Sequence, residues 1–205
     1  MKHVLYFHGF ASSPSSSKIT ALRPLLEPEI EMITPDMNIP SFEMLDWNAI
    51  VDKARELVAS ERPDAIVGSS MGALIALSVA NAETPLVLIA PALGIAHRWR
   101  DHIPDGDPVL MFNHARGEDA PIHRAFFEQM FEVTVDADPP PSRVTLLMGR
   151  NDESVPFDVV EETWGKWVGS GRLVPESKFI AITDGDHGLT AHAELIAREI
   201  RAIIA

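Results

Sequence analysis

Ala65-Ile66-Val67-Gly68-Ser69-Ser70-Met71-Gly72-Ala73-Leu74-Ile75-Ala76-Leu77 is the stretch whose reading decides the fold. The run Ala65 to Val67 reads as a buried strand and Ala73 to Ala80 as a buried apolar segment, with glycine-x-serine-x-glycine standing between them. A strand-to-helix turn this tight holds its middle residue in a strained conformation with the side chain exposed. The positions two before and two after must therefore lack bulk, and Gly68 and Gly72 meet that demand. The following helix aims its first amides at the Ser70 hydroxyl, where an oxyanion would form, and the Met71 amide is the natural first donor.

Outward from this turn, five further apolar runs read as strands: Val4 to Phe7, Ile30 to Ile33, Leu86 to Ile89, Val144 to Met148 and Phe179 to Ile182. They are rich in Val, Ile and Leu without clean polar alternation, as strands covered on both faces of a parallel sheet require. Helical spacing appears between them in Leu45, Ala49, Ile50, Ala54, Leu57 and Val58. It recurs in Phe157, Val160, Trp164 and Trp167, and again in Leu195, Ile196, Ile200, Ile203 and Ile204. Ser41 and Thr190 stand where N-caps are expected, and Pro156 suits a first helical turn. Strand and helix alternate, so the expected architecture is α/β: a single three-layer domain over residues 1–205 with about six parallel strands flanked by helices. Residues 91–141 break the alternation and read as an insertion carrying Trp99, Phe112, Phe126, Phe127 and Phe131. Asp119, Pro121, Ile122, Ala125, Phe126 and Met130 suggest one helix there, and Asp136 to Pro141 a stiff return. The expectation is a small helical cap.

Composition narrows the function. Thirty Asp and Glu against seventeen Lys and Arg give a net charge of −13, which repels a nucleic-acid backbone over most of the surface. With no cysteine there is no disulfide, thiolate or Cys-based zinc chemistry, which fits a reducing compartment. The first residues lack the longer apolar stretch and cleavage site of a signal peptide, and no apolar run approaches the roughly 18 residues of a membrane span. The expectation is a cytoplasmic protein without membrane insertion. His97, His102, His114 and His123 lie among carboxylates of the insertion but show no metal-ligand spacing, so solvated surface is the expected reading and no metal or cofactor is expected.

A serine hydroxyl needs a base and an orienting carboxylate to attack. In strand order the candidates are Asp152, in Gly149-Arg150-Asn151-Asp152, and His187, in Asp184-Gly185-Asp186-His187-Gly188, each just beyond a strand. Taken singly, each is ordinary loop chemistry; the ordered set of three is much harder to obtain by chance. Asp186 adjoins His187, but its side chain would have to turn back along a tight loop, so Asp152 is the expected acid. His192 sits within the expected terminal helix and is the weaker base. After the first strand, His8-Gly9-Phe10 offers the Phe10 amide as a second oxyanion donor, with His8 expected to be structural. Phe126 and Phe127 are either pocket walls or plain core.

Together His8-Gly9-Phe10, Ser12-Ser13-Pro14, Gly68-Ser69-Ser70-Met71-Gly72, Gly149-Arg150-Asn151-Asp152 and Gly185-Asp186-His187 resemble the α/β-hydrolase superfamily, most nearly the small YqiA-like esterases. Ala73 stands where that subgroup commonly has another glycine. The resemblance implies a fold beginning at the superfamily's third strand and a Ser70–Asp152–His187 triad. It also implies cofactor-free activity on carboxylic esters or thioesters. The leading expectation is a small-molecule acyl ester cleaved through an acyl-enzyme. An acyl-thioester substrate and a non-catalytic binding domain are the alternatives; oligomeric state is not legible.

Overall fold

The computed structural model describes residues 1–205. Its central sheet contains β1 (Lys2–Phe7), β2 (Ile30–Ile33), β3 (Ala65–Ser69), β4 (Leu86–Ile89), β7 (Val144–Gly149) and β8 (Lys178–Ile182). They lie in the order β2-β1-β3-β4-β7-β8, every pair parallel. The helices are α1 (Ser17–Leu26), α2 (Trp47–Glu61), α3 (Met71–Ser78), α4 (Ile95–His102), α5 (Arg124–Phe131), α6 (Phe157–Gly169) and α7 (Ala193–Ile204). Helix α7 packs on α1 and on β3, β4 and β7, while α3 packs on α2 and on β1, β3 and β4.

Burial explains the apolar runs. Every residue of β3, β4 and β7 is buried, whereas edge strand β2 alternates, with Ile30 and Met32 inside and Glu31 outside. A two-face-covered strand has no solvent side on which to place polar residues. Helix α3 is buried along Met71 to Leu77 and so carries no amphipathic stripe. The caps differ from expectation by a turn. Helix α2 begins at Trp47, with the Asp46 carboxylate accepting from the Ala49 amide, while Ser41 caps only a turn before it. Pro156 is the residue before α6 starts, and Thr190 opens a short 3-10 turn rather than α7 itself.

The insertion is not all helical. Between α4 and α5 runs an antiparallel hairpin, β5 (Val109–Asn113) with β6 (Glu118–Ile122), paired from Val109↔Ile122 to Asn113↔Glu118. The helix expected from Asp119 starts only at Arg124, because Glu118 to Ile122 pair as a strand; Pro121 is tolerated on a two-stranded ribbon with open edges. Asp136 closes the base of the insertion: its Oδ2 accepts from the Gly94 amide at 2.7 Å and its carbonyl from Trp167 Nε1 at 2.9 Å.

Candidate active site

The carboxyl ends of the parallel strands meet at one edge of the sheet, where open α/β sheets bind ligands. Strand β3 runs into Ser70, which adopts φ 56° and ψ −121°, a conformation that costs of order 1–3 kcal/mol and persists only when its surroundings enforce it. They do. A Cβ on Gly68 would lie 2.4 Å from the Gly72 carbonyl oxygen, and one on Gly72 would lie 2.1 Å from the Phe7 carbonyl oxygen. The Ser70 amide donates to the Ile89 carbonyl, and the Ser70 carbonyl accepts from the Ala73 and Ala92 amides. The Ser70 side chain makes no capping bond to α3, so the hydroxyl is left to the cavity that it lines.

His187 lies beyond β8 and Asp152 beyond β7, and the two meet: His187 Nδ1 is 2.8 Å from Asp152 Oδ2. The other carboxylate oxygen accepts from the Ser154 and Val155 amides, both at 2.8 Å, which fixes the plane of the group in a fully buried side chain. The two loops are pressed together, since a Cβ on Gly149 would lie 2.2 Å from the Gly185 carbonyl oxygen. Asp186 points elsewhere: its Oδ1 accepts from the Leu189 amide at 2.7 Å and closes the turn after His187. His192 pairs with Asp184 at 3.4 Å.

His8 is held by the backbone at both ring nitrogens. Its Nε2 accepts from the Met37 amide at 3.0 Å, which puts the ring proton on Nδ1, 2.9 Å from the Gly9 carbonyl. Gly9 brings the backbone against the elbow: a Cβ there would be 3.1 Å from Ser70 Cβ. Phe10 and Met71 both line the cavity, and Met71 opens α3, so its amide has no intrahelical acceptor.

Ser70 and His187 share a cavity of about 530 Å³. Its apolar wall is formed by Phe10, Ile95, Trp99, Met111 and Phe112. Phe126 and Phe127 are not part of that wall. Both are fully buried behind it, with Phe126 stacked on Phe10 at 5.9 Å and Phe127 tilted against Trp99 at 5.4 Å. Helix α5, which carries both rings, packs on α4 and α2.

Sequence reasoning missed Lys18 and Arg98, which both line the cavity. Lys18 Nζ donates to Ser69 Oγ at 2.7 Å and to the His187 carbonyl at 3.2 Å. Burial pushes its ammonium down to about 8, against the pull of the Asp152 and Asp186 carboxylates. Arg98 donates to the Ser154 carbonyl; partial burial pulls its guanidinium down while Asp152 draws it up. One signal for Lys18 was available. A lysine in the first turn of a helix opposes the helix dipole and needs another reason to be there.

Fold and cavity together define an α/β-hydrolase architecture. The chain belongs to the uncharacterised protein family UPF0227, whose model matches residues 3–202. No curated protein matches. Among solved structures, the chain is similar to Est1E from Butyrivibrio proteoclasticus with ferulic acid bound, at 17% identity and a TM-score of 0.78, over 100% of this chain and 88% of that one. It is also similar to alpha/beta hydrolase domain-containing protein 10 from mouse, at 22% identity and a TM-score of 0.71, over 98% and 89% of the two chains. No helix is long and apolar enough to cross a membrane.

Proposed function

We propose that the protein is a serine hydrolase of small or medium carboxylic esters. The observation that carries this reading is the His187 Nδ1–Asp152 Oδ2 contact of 2.8 Å, opening on the same cavity as a serine held at φ 56°. Asp152 fixes the proton on Nδ1 and leaves Nε2 to act as base. Ser70 Oγ attacks the ester carbonyl carbon as its proton passes to His187, and the Met71 and Phe10 amides bind the oxyanion. When the intermediate collapses, the carbon–oxygen bond to the alcohol breaks, and the alcohol leaves with the proton from His187. Water, deprotonated by His187, then cleaves the acyl-serine bond and restores Ser70. No step needs a metal or cofactor. The segment 91–141 serves as a cap on the domain, setting acyl length through Trp99, Met111 and Phe112.

A fluorophosphonate probe tests the assignment directly. It is expected to label Ser70, with Ser70→Ala abolishing the label and cutting ester turnover by roughly a thousandfold or more while the fold survives. Labelling at Ser69, or full activity in Ser70→Ala, would remove the assignment.

A further inference from the structure

The charge of the cavity is at odds with the chain around it. The chain carries thirty acidic residues, yet not one Asp or Glu lines the cavity, whereas Lys18 and Arg98 do. Lys18 is only 8% exposed, and an ammonium that deep is unfavourable unless its donors are used. Two of its three are, on Ser69 Oγ and the His187 carbonyl. Tyr6 on β1 lines the same cavity; its hydroxyl is buried beside the Ser69 side chain without completing a hydrogen bond. Buried polar groups are rarely left without partners. Here a spare ammonium donor and an orphan hydroxyl converge on Ser69, the neighbour of Ser70 in the chain.

We propose that this polar corner binds a carboxylate carried by the substrate, with Lys18 Nζ and Tyr6 Oη as donors, so that the preferred substrates are anionic esters. The inference rests on the hydrolase reading above and adds a substrate class to it. A carboxylate supplies the two acceptor oxygens that the two donors need, and a charge-assisted bond to the ammonium is the stronger of the pair. Phe10, Trp99 and Met111, which line the same cavity, take the apolar remainder. If Lys18 only tied the elbow to the His187 loop, its loss would slow every ester alike. Recognition instead changes the ratio of anionic to neutral esters.

The carboxylate can sit on the acyl or the alcohol part, and two substrate pairs separate these sources. 4-Nitrophenyl hemisuccinate is compared with 4-nitrophenyl butyrate, and 4-carboxyphenyl butyrate with 4-carbamoylphenyl butyrate. In one pair kcat/KM is expected to favour the anionic ester by about tenfold or more; Lys18→Met is expected to lower that ratio about tenfold and Tyr6→Phe about threefold. Should Lys18→Met fail to fold, Tyr6→Phe carries the test, since the hydroxyl it removes lies beside Ser69 without a well-formed hydrogen bond in the fold. Equal or reversed preference in both pairs, or a ratio unmoved by Tyr6→Phe, overturns the inference and leaves the hydrolase reading standing. No turnover of any of the four esters, with Ser70 unlabelled, removes both.

Discussion

The carboxyl edge of the sheet and the segment 91–141 both face the cavity, but they are held by different means. At the sheet edge, backbone touches backbone: Gly68, Gly72 and Gly149 each leave no space for a single carbon atom. In the insertion, Gly106 and Gly117 meet nothing within 4 Å, and Leu110 and Phe112 are half or more exposed on the hairpin. The insertion is fixed instead by side chains: Phe126, Phe127 and Trp99 packed on Phe10, and Asp136 at its base. Close backbone packing tolerates almost no displacement, which suits reacting groups that must hold position within a fraction of an ångström. Side-chain packing lets an insertion vary in shape, which suits a surface that selects substrates.

The largest expected effect lies at the rigid edge. Asp152→Asn is expected to reduce kcat by about 10²- to 10⁴-fold, because an amide in place of the carboxylate favours the wrong imidazole tautomer. Asp186→Asn, which disturbs the turn to Leu189 and removes one of the two carboxylates facing Lys18, is expected to lose about tenfold or less. Both variants measured under one ester assay decide the matter, and the reverse ranking would move the orienting role to Asp186.

Next in size is the contrast within the insertion. Phe127→Ala is expected to destabilise the fold by about 3–5 kcal/mol in urea denaturation, as for a large ring removed from a closed core, with little change in acyl-length preference. Phe112→Ala, half exposed on the cavity rim, is expected to leave stability within about 0.5 kcal/mol and to shift the preference across a graded ester series by a few fold. If Phe127→Ala instead changed the preference without loss of stability, the cavity would extend behind its present wall.

The smallest effect concerns Lys18, which faces Asp152, Asp186, the Ser69 hydroxyl and the His187 carbonyl. Its folded value of about 8 lies below the ordinary 10.5, so between these limits the unfolded chain binds more protons than the folded one. Stability from this group therefore rises with pH through that window and is lost as pH falls through it. Wild type is expected to gain about 2 kcal/mol over Lys18→Met between pH 7.5 and pH 9.5. A constant difference between the two proteins would place Lys18 in solvent.

Much of this was open to a reader of the sequence alone. The central strands β3, β4 and β7 declare themselves because buried parallel strands have no wet face, and the β3–α3 turn because only glycine fits at positions 68 and 72. The candidate residues Ser70, Asp152 and His187 follow from strand order, since each loop must end at the same edge of the sheet. The hairpin was hidden: the wet positions of β5 carry Leu110 and Phe112, so the short strand shows no polar alternation, and Ala125, Phe126 and Met130 of the next helix masked it. Whether Phe126 and Phe127 face a ligand or the core depends on how α5 packs on α4 and α2 and against Phe10, a matter of packing between distant segments. Lys18 shows the limit most clearly. Its burial and its bond to the carbonyl of His187, 169 residues away, arise only when the start of α1 and the loop after β8 are brought together at one edge of the sheet. Local pattern specifies elements through hydrogen-bond geometry and solvent contact, whereas the environment of a charge is set by neighbours the chain reaches only on folding.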